Sequence, residues 1–559
     1  MNKLLFSLLL ISSSSIIASS QDLAPMNERP CVSMGEHPLN GIFLTGPKTT
    51  LTRKDKRAIA TIKGIEARNL DIPEGVETLR LSLEPLFMGK CFTKELVVLV
   101  RDEIFRYYRS HGRPVVAIDI PEQDITEGVL QIVITEGKLQ TISTRGNRWY
   151  SDKLLKSYIR LKQGEEIDTN SLLEDVAWMN RNPYHHTNLI FTPGSREGTT
   201  DIELVTEDRF PLRLYVGGDN TGVEETGQTR IFGGFNWLNA FGCDQQLTYQ
   251  ATVSDNLKRF RANTINYVAP LPWRHIFQLY GGYATIEPKH EHFHSKGRSF
   301  QSSARYTMPI PPTYKGTENE WVIGVDYKNT NNNLEFVERQ ENPIIANEVN
   351  ILQLMFAYNL GIKNKSNEFT LQGEVFASPG NVLPKQSNRA YNELRRGAKS
   401  TYAYGRFTVS ENYQLPWKFH IYFQARGQIP TTTLLPSEQF GLGGYDTVRG
   451  YDEREANADQ GYCGNFEIRT PSFPIFGIFS KKHIDELYFL AFADYGLSIN
   501  YHDERHVKHT QQLASVGPGL RYRLKNNISI RADYGYRFIP IHDGQDKGWK
   551  VHLGALIAF

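Results

Sequence analysis

A chain of 559 residues is too long for one ordinary domain and has room for a large barrel with small appended modules. Its 63 Lys+Arg stand against 61 Asp+Glu, a balance in which nothing suggests the strongly basic face of a nucleic-acid binder. Aromatic residues reach 12%, with 45 Gly, yet mean hydropathy is negative; this excludes a helical membrane protein and suits a transmembrane β-barrel, which hides its apolar face in alternate residues.

The chain opens with Lys3, an apolar run from Leu4 to Ile11, a serine tract and the small residues Ala18 and Ser20. This pattern predicts a secretory signal peptide over 1–20, cut after Ser20. The run is too short for a spanning helix, and no later stretch approaches about 18 uninterrupted apolar residues. In an exported protein the four cysteines can form disulfides. Spacing leaves the connectivity open; Cys31 and Cys91 share the N-terminal part and are the expected pair, whereas Cys243 and Cys463 lie far apart.

From about Cys31 to Asp208 helical and strand periods alternate. Thr93 is placed to cap a helix carrying Leu96, Val97, Val100, Ile104, Tyr107 and Tyr108 and ending at His111-Gly112. Strands are expected over Val115–Ile120 and Val129–Ile134, either side of the turn Pro121–Asp124. A similar order recurs: a helix with Leu154, Leu155 and Ile159, then one with Leu172, Val176 and Met179 in which Ser171 and Glu174 have capping-box spacing. Strands near Leu189–Phe191 and Asp201–Val205 follow, and His185-His186 is read as module surface. Two tandem α/β modules account for the region, over 21–138 and 139–210, with residues 47–80 read as an insertion into the first.

From about Leu212 the helical period gives way to segments of about ten alternating residues. In the last one Trp549, Val551, Leu553, Ala555, Ile557 and Phe559 share one face, with Lys550, His552 and Gly554 on the other. The preceding segment sets Ile528, Ile530, Tyr534 and Phe538 against Ser529, Arg531, Asp533 and Arg537. Apolar faces with aromatics near their ends and opposite faces with Arg and Asp fit lipid outside and water inside. About sixteen such segments between 211 and 559 predict an even-stranded outer-membrane barrel, with Trp549, Val551, Leu553 and Phe559 as its C-terminal signal. Tight turns are expected at Asn239–Asp244, Pro270–Trp273 and Pro309–Pro312, facing the periplasm. Long polar loops near 328–348, 377–398 and 430–460 are expected outside. His290-Glu291-His292-Phe293-His294 would align three histidines on one strand face, a metal-binding pattern; it falls in an expected external loop and is read as solvated, so no metal is expected.

One long loop contains Gly441-Leu442-Gly443-Gly444-Tyr445-Asp446-Thr447-Val448-Arg449-Gly450-Tyr451. It resembles the Val-Arg-Gly-Tyr/Phe signature of the superfamily that holds two-partner secretion transporters (TpsB) and barrel-assembly factors. That family folds this loop, the sixth external one here, back into the barrel and pairs its arginine with an aspartate of a Phe-x-Asp-x-Gly motif on the wall. Phe492, Asp494 and Gly496 supply that motif. The resemblance therefore implies a conformational lock made by Val448, Arg449, Gly450, Tyr451, Phe492, Asp494 and Gly496. Chemistry supports the pairing, since Arg cannot shed its proton and its planar fork matches a carboxylate. Gly89–Thr93, Gly128–Leu130, Glu136-Gly137, Asn180–Pro183 and Asn236–Leu247 are similar to TpsB patterns in two periplasmic POTRA modules and the first hairpin.

The resemblance implies an outer-membrane translocase, with its POTRA modules in the periplasm, that exports and activates a partner exoprotein bearing an N-terminal secretion domain. Docking is expected on the second module by strand addition, at Leu172, Val176, Ile202 and Leu204. Other expected partners are outer-membrane lipid and the barrel-assembly machinery that inserts the chain itself; nucleic acid is not one. About ten residues separate Ser20 from Cys31, too few to cross a barrel at about 3.3–3.6 Å each, so a leading plug helix is not expected unless 47–80 takes an altered role. No nucleophile–base arrangement, paired-Cys motif or phosphate-cradling loop is found, so neither enzymatic activity nor a cofactor is expected. A barrel-assembly insertase is the alternative; a diffusion porin would leave the modules unexplained.

Overall fold

The computed structural model describes residues 37–47, 61–196, 198–288, 293–311, 314, 316–336, 345–475, 484–501, 509–540 and 547–559. The expected signal peptide, Cys31, and the trio Lys289 to Glu291 with His292 lie outside them. So do residues 48–60. By compactness the chain divides into two units, one taking Met1–Ile142, Arg160–Glu174 and Ile190–Glu203, the other Ser143–Ile159, Asp175–Leu189 and Leu204–Phe559.

The first unit is built on β1 (Gly41–Thr45), β2 (Gly64–Arg68), β3 (Val116–Asp119) and β4 (Val129–Glu136), in the order β2-β1-β4-β3. β1 runs parallel to β2 and to β4, while β3 is antiparallel to β4. Helices α1 (Val76–Phe87) and α2 (Lys94–Ser110) supply the rest of its core. Leu79 and Leu83 of α1 and Leu96, Val100 and Ile104 of α2 are buried with Ile42, Leu44 and Ile132. Thr93 caps α2 as its sequence position predicts, its side chain accepting from the Leu96 N–H at 3.1 Å. Thr93→Ala is expected to lower the unit's stability by about 1 kcal/mol, read as a lower denaturant midpoint at unchanged slope.

The expected insertion over 47–80 needs correction where it is described. Residues 61–80 are woven into the module: β2 extends the sheet and Leu79 sits at the centre of the core. The segment is polar on average, so its few inward residues gave too short a pattern to register as an element. Cys91 is disulfide-bonded, whereas Cys243 and Cys463 are free thiols.

Beyond these strands come β5 (Lys138–Arg145), α3 (Asp152–Ser157), α4 (Thr169–Met179), β6 (His185–Pro193) and β7 (Thr199–Asp208). The three strands form a sheet in the order β5-β7-β6. Asp168, rather than Ser171, caps α4: its carboxylate accepts from the N–H groups of Asn170 at 3.1 Å and Ser171 at 3.2 Å. The expected docking residues are also corrected. Leu172, Ile202 and Leu204 are buried, so they are core and offer no surface to a partner; Val176 is half-buried. Periodicity marks the apolar face of an element, and a small module buries that face in itself. His185, expected on the surface, is buried as well, while His186 is exposed.

The second unit is dominated by a closed antiparallel barrel of sixteen strands. In chain order its first half is β8 (Leu212–Asp219), β9 (Arg230–Ala240), β10 (Gln245–Ser254), β11 (Phe260–Pro270), β12 (Ile276–Ile286), β13 (Phe293–Ile310), β14 (Thr317–Phe336) and β15 (Ile345–Lys363). Next are β16 (Asn367–Pro379), helix α5 (Asn388–Leu394), β17 (Thr401–Gln414) and β18 (His420–Pro430). A two-stranded hairpin, β19 (Phe440–Leu442) and β20 (Ala456–Ala458), is not part of the wall. The wall resumes with β21 (Gln460–Arg469), β22 (Asp485–Ile499), β23 (Thr510–Leu524), β24 (Ile528–Arg537) and β25 (Gly548–Ala558). Closure comes from β25 pairing with β8, Gly554 with Asp219 through Ala558 with Tyr215.

Side-chain parity along the wall follows the sequence pattern. Trp549, Val551, Leu553 and Phe559 are exposed on the outer face, whereas Asp533 and His552 are buried on the inner one. Two expected external loops are corrected, however. β13, β14 and β15 have 18, 20 and 19 residues, against about 9–11 needed to cross a bilayer. Their pairing therefore takes in much of the expected 328–348 loop, and also Phe293 and His294. These stretches are largely polar and lack the apolar alternation of the rest of the wall, so sequence pattern alone reads such an extension as loop.

Candidate functional site

The connection between β18 and β21 turns back into the barrel and places Arg449 against its wall. Arg449 is only 3% exposed. Its Nε and Nη2 donate to the two oxygens of Asp494 on β22, each at 2.8 Å, and its own backbone N–H donates to Asp494 Oδ2 at 3.1 Å. Nη1 donates to Glu467 Oε1 of β21 at 2.7 Å and reaches Asp533 Oδ1 of β24 at 3.5 Å. The guanidinium lies 3.6 Å from the Phe492 ring centroid, close enough for a cation–π contact. Arg469 pairs with Glu467 at 2.8 Å and Arg521 with Asp533 at 3.0 Å, so three arginines face three carboxylates. That balance is what lets the cluster be dehydrated.

Neighbouring residues of the motif each have a distinct seat. Val448 is buried among Leu442, Tyr451, Ala456, Cys463 and Leu513. The Gly450 N–H donates to His552 Nε2 of β25 at 2.9 Å. Gly450 has φ +91°, and its backbone touches Gly535 so closely that a Cβ on Gly535 would lie 2.6 Å from Gly450 N. Two glycines meet because no side chain fits between loop and wall. A Cβ on Gly496 would come within 2.9 Å of Val448 Cγ2, which explains the third position of the wall motif. Tyr451 donates its hydroxyl proton to the Ile539 carbonyl at 2.7 Å and accepts from the Ala514 N–H at 3.2 Å. Asp452 pairs with Lys550.

All seven residues singled out in sequence thus come together. Glu467, Asp533, His552, Lys550 and Asn465, whose Nδ2 donates to Asp494 Oδ1 at 2.8 Å, complete the site, and motif reading missed them. The available signal was parity: Asp533, Lys550 and His552 alternate onto the polar face of their strands, but nothing local says which loop residue they meet.

An arginine-bearing loop clamped inside a closed sixteen-strand barrel that follows two small α/β modules is a specific combination. Residues 198–522 match the family described as haemolysin secretion/activation protein ShlB/FhaC/HecB, and residues 74–137 match the POTRA domain of ShlB type. The chain belongs to the haemolysin secretion/activation family. Among curated members, the heme/hemopexin transporter protein HuxB of Haemophilus influenzae is 24% identical over 454 residues, 78% of this chain and 76% of that one. The outer membrane transporter CdiB of Dickeya dadantii is 22% identical over 405 residues, 70% of this chain and 69% of that one. In fold, CdiB from Escherichia coli superposes with a TM-score of 0.71 at 16% identity, covering 96% of this chain and 93% of that one. The family membership makes this an outer-membrane β-barrel transporter whose POTRA modules are periplasmic.

Two further family-like stretches meet within the second unit. Asn182 Nδ2 and the Tyr158 hydroxyl donate to the two oxygens of Asp244, each at 2.5 Å, in the turn between β9 and β10. Among the described residues no group of three metal-ligating side chains is found, and the expected histidine cluster falls largely outside them.

Proposed function

We propose that this transporter exports, and on export activates, one dedicated partner exoprotein. Export across the outer membrane is the family's activity, and the observation that carries the reading is the Arg449 loop held against Asp494 inside the barrel. In this reading Val448 to Tyr451 with Phe492, Asp494 and Gly496 act as a conformational lock. A buried ion pair is a poor source of net stability but a good means of specifying one arrangement. The pattern suits a passage that must stay shut until a substrate arrives.

The reading divides the chain into a signal peptide (1–20), a first POTRA domain (21–138), a second (139–210) and the barrel (211–559). The unfolded partner, through an N-terminal secretion domain, adds a strand to an exposed sheet edge of the second module. Because Leu172, Ile202 and Leu204 are interior, the backbone of β6, at an edge of its sheet, is the supported docking element. The outward aromatic and aliphatic residues Trp549, Val551, Leu553 and Phe559 contact lipid and serve the barrel-assembly machinery as a C-terminal signal. Cys31 pairs with Cys91. The reading assigns no chemical reaction and no cofactor to the chain.

The test compares the culture-medium and outer-membrane proteomes of cells with and without this protein. Loss of one or two large exported proteins, with other barrels intact, is the expected result. A joint fall of many outer-membrane barrels would overturn it in favour of an insertase.

A further inference from the structure

A second loop is folded into the barrel, and its anchor is a buried arginine with no place in the family motif. The connection between β16 and β17 carries α5, whose first turn is capped by Ser387 accepting from the Ala390 N–H at 3.3 Å. Along β15, Leu354 and Phe356 are exposed to the outside, while Ile351, Gln353 and Met355 are buried, so the odd positions point into the lumen. α5 packs on that inner wall. Tyr391 is fully buried with Ile351, Tyr402 and Leu434, and donates its hydroxyl proton to the Asn350 carbonyl at 2.8 Å.

Just past the helix, Arg395 is 7% exposed and Asp459 is fully buried. Arg395 makes a two-pronged pair with Asp459, and its Nη2 reaches Asn500 Oδ1 at 3.1 Å. Nη1 also donates to the Leu434 carbonyl at 2.5 Å, while Asp459 Oδ1 accepts from the Leu434 N–H at 2.8 Å. Leu434 and Asp459 are the two ends of the connection that carries Arg449. One arginine from the β16–β17 loop therefore pins the neck of the Arg449 loop. A second buried carboxylate, Glu438, ties the same neck to the wall through Lys328 at 2.9 Å and Tyr404 at 2.7 Å.

We propose that Arg395 is a positioning residue that joins the two inward-folded loops into one body, and that α5 is a stopper at the outer end of the lumen. The Arg449 lock holds the tip of its loop; the Arg395–Asp459 pair holds the base and carries α5 with it. A passing chain must move both. The direction of opening rests on the exporter reading, but the stopper itself does not, because ion flow needs no partner protein.

The experiment measures ion conductance of the full-length protein in planar lipid bilayers. Arg395→Gln leaves Asp459 unpaired and is expected to raise the open fraction about tenfold or more, since a two-state balance follows the differential stability of its states. Arg395→Lys keeps the charge and is expected to recover part of the closure. A second variant replaces residues 388–394 with a Gly/Ser segment of the same length, keeping Arg395 and Asp459. It is expected to conduct steadily, and it decides the matter if Arg395→Gln does not insert. Conductance equal to the parent in the helix-replaced variant, with the heat-modifiable gel mobility of a folded barrel, would overturn the proposal. So would closure in Arg395→Gln indistinguishable from the parent.

Discussion

Replacing Arg449 with alanine is expected to cut the partner released into the medium by an order of magnitude or more while leaving the barrel folded. The cause is local. Without the guanidinium, Asp494, Glu467 and Asp533 remain as buried carboxylates facing one another, with only Arg469 and Arg521 to balance them. Breaking a buried pair by removing one partner costs about 3–5 kcal/mol. The sixteen-strand wall does not depend on that loop for its pairing, so the cost falls on the loop's docked conformation. Arg449→Lys is expected to restore little, because one ammonium cannot reproduce the two-pronged contact with Asp494 together with the bond to Glu467. The exchange Arg449→Asp with Asp494→Arg is also expected to fail. An aspartate at 449 would meet Glu467 and Asp533, so the site is asymmetric and a reversed pair has no complementary surroundings. Release is read by immunoblot of the medium, and folding by heat-modifiable gel mobility. Restored release in the exchange variant would show that Arg449 and Asp494 act as an isolated pair.

Ile202→Asp is expected to abolish export by unfolding the second module, without altering the barrel. Ile202 is fully inaccessible, and an unpaired carboxylate there has no counter-charge and no water. Leu204→Ala, at a position equally buried, is expected to cost about 2–5 kcal/mol through lost transfer energy and the cavity left behind. Glu207→Ala, exposed on the same strand, is the control and is expected to stay within about 0.5 kcal/mol of the parent. Limited proteolysis of the periplasmic region distinguishes the cases: new cleavage in Ile202→Asp, little change in Glu207→Ala. If Ile202→Asp left the module protease-resistant yet stopped partner binding, the residue would belong to a docking surface after all.

These two sites show where sequence reading works and where it stops. Arg449 and Asp494 were legible because the loop motif and the strand motif resemble the two that the transporter superfamily pairs, and arginine–carboxylate chemistry supports that pairing. Ile202 and Leu204 were legible as an apolar face, but an apolar face does not announce whether it meets its own module or a partner. The docking expectation failed for that reason. Likewise residues 61–80 read locally as an insertion, because β2 and α1 are defined by pairing and packing with segments far away in the chain.

By itself the sequence determined the strand alternation, hence the barrel and its outward-facing residues, and through the resemblance of two motifs it pointed to the arginine and its aspartate. Such features are written in side-chain parity and in short motifs, which are local. Only the tertiary structure decided that Glu467, Asp533 and His552 converge on Arg449 and Gly450, that three strands extend past the bilayer, and that α5 and Arg395 close over the neck of the same loop. Which inward-facing residues meet is set by strand register and by the path of loops returning into the lumen. Those are contacts between segments tens to hundreds of residues apart, and no local pattern encodes them.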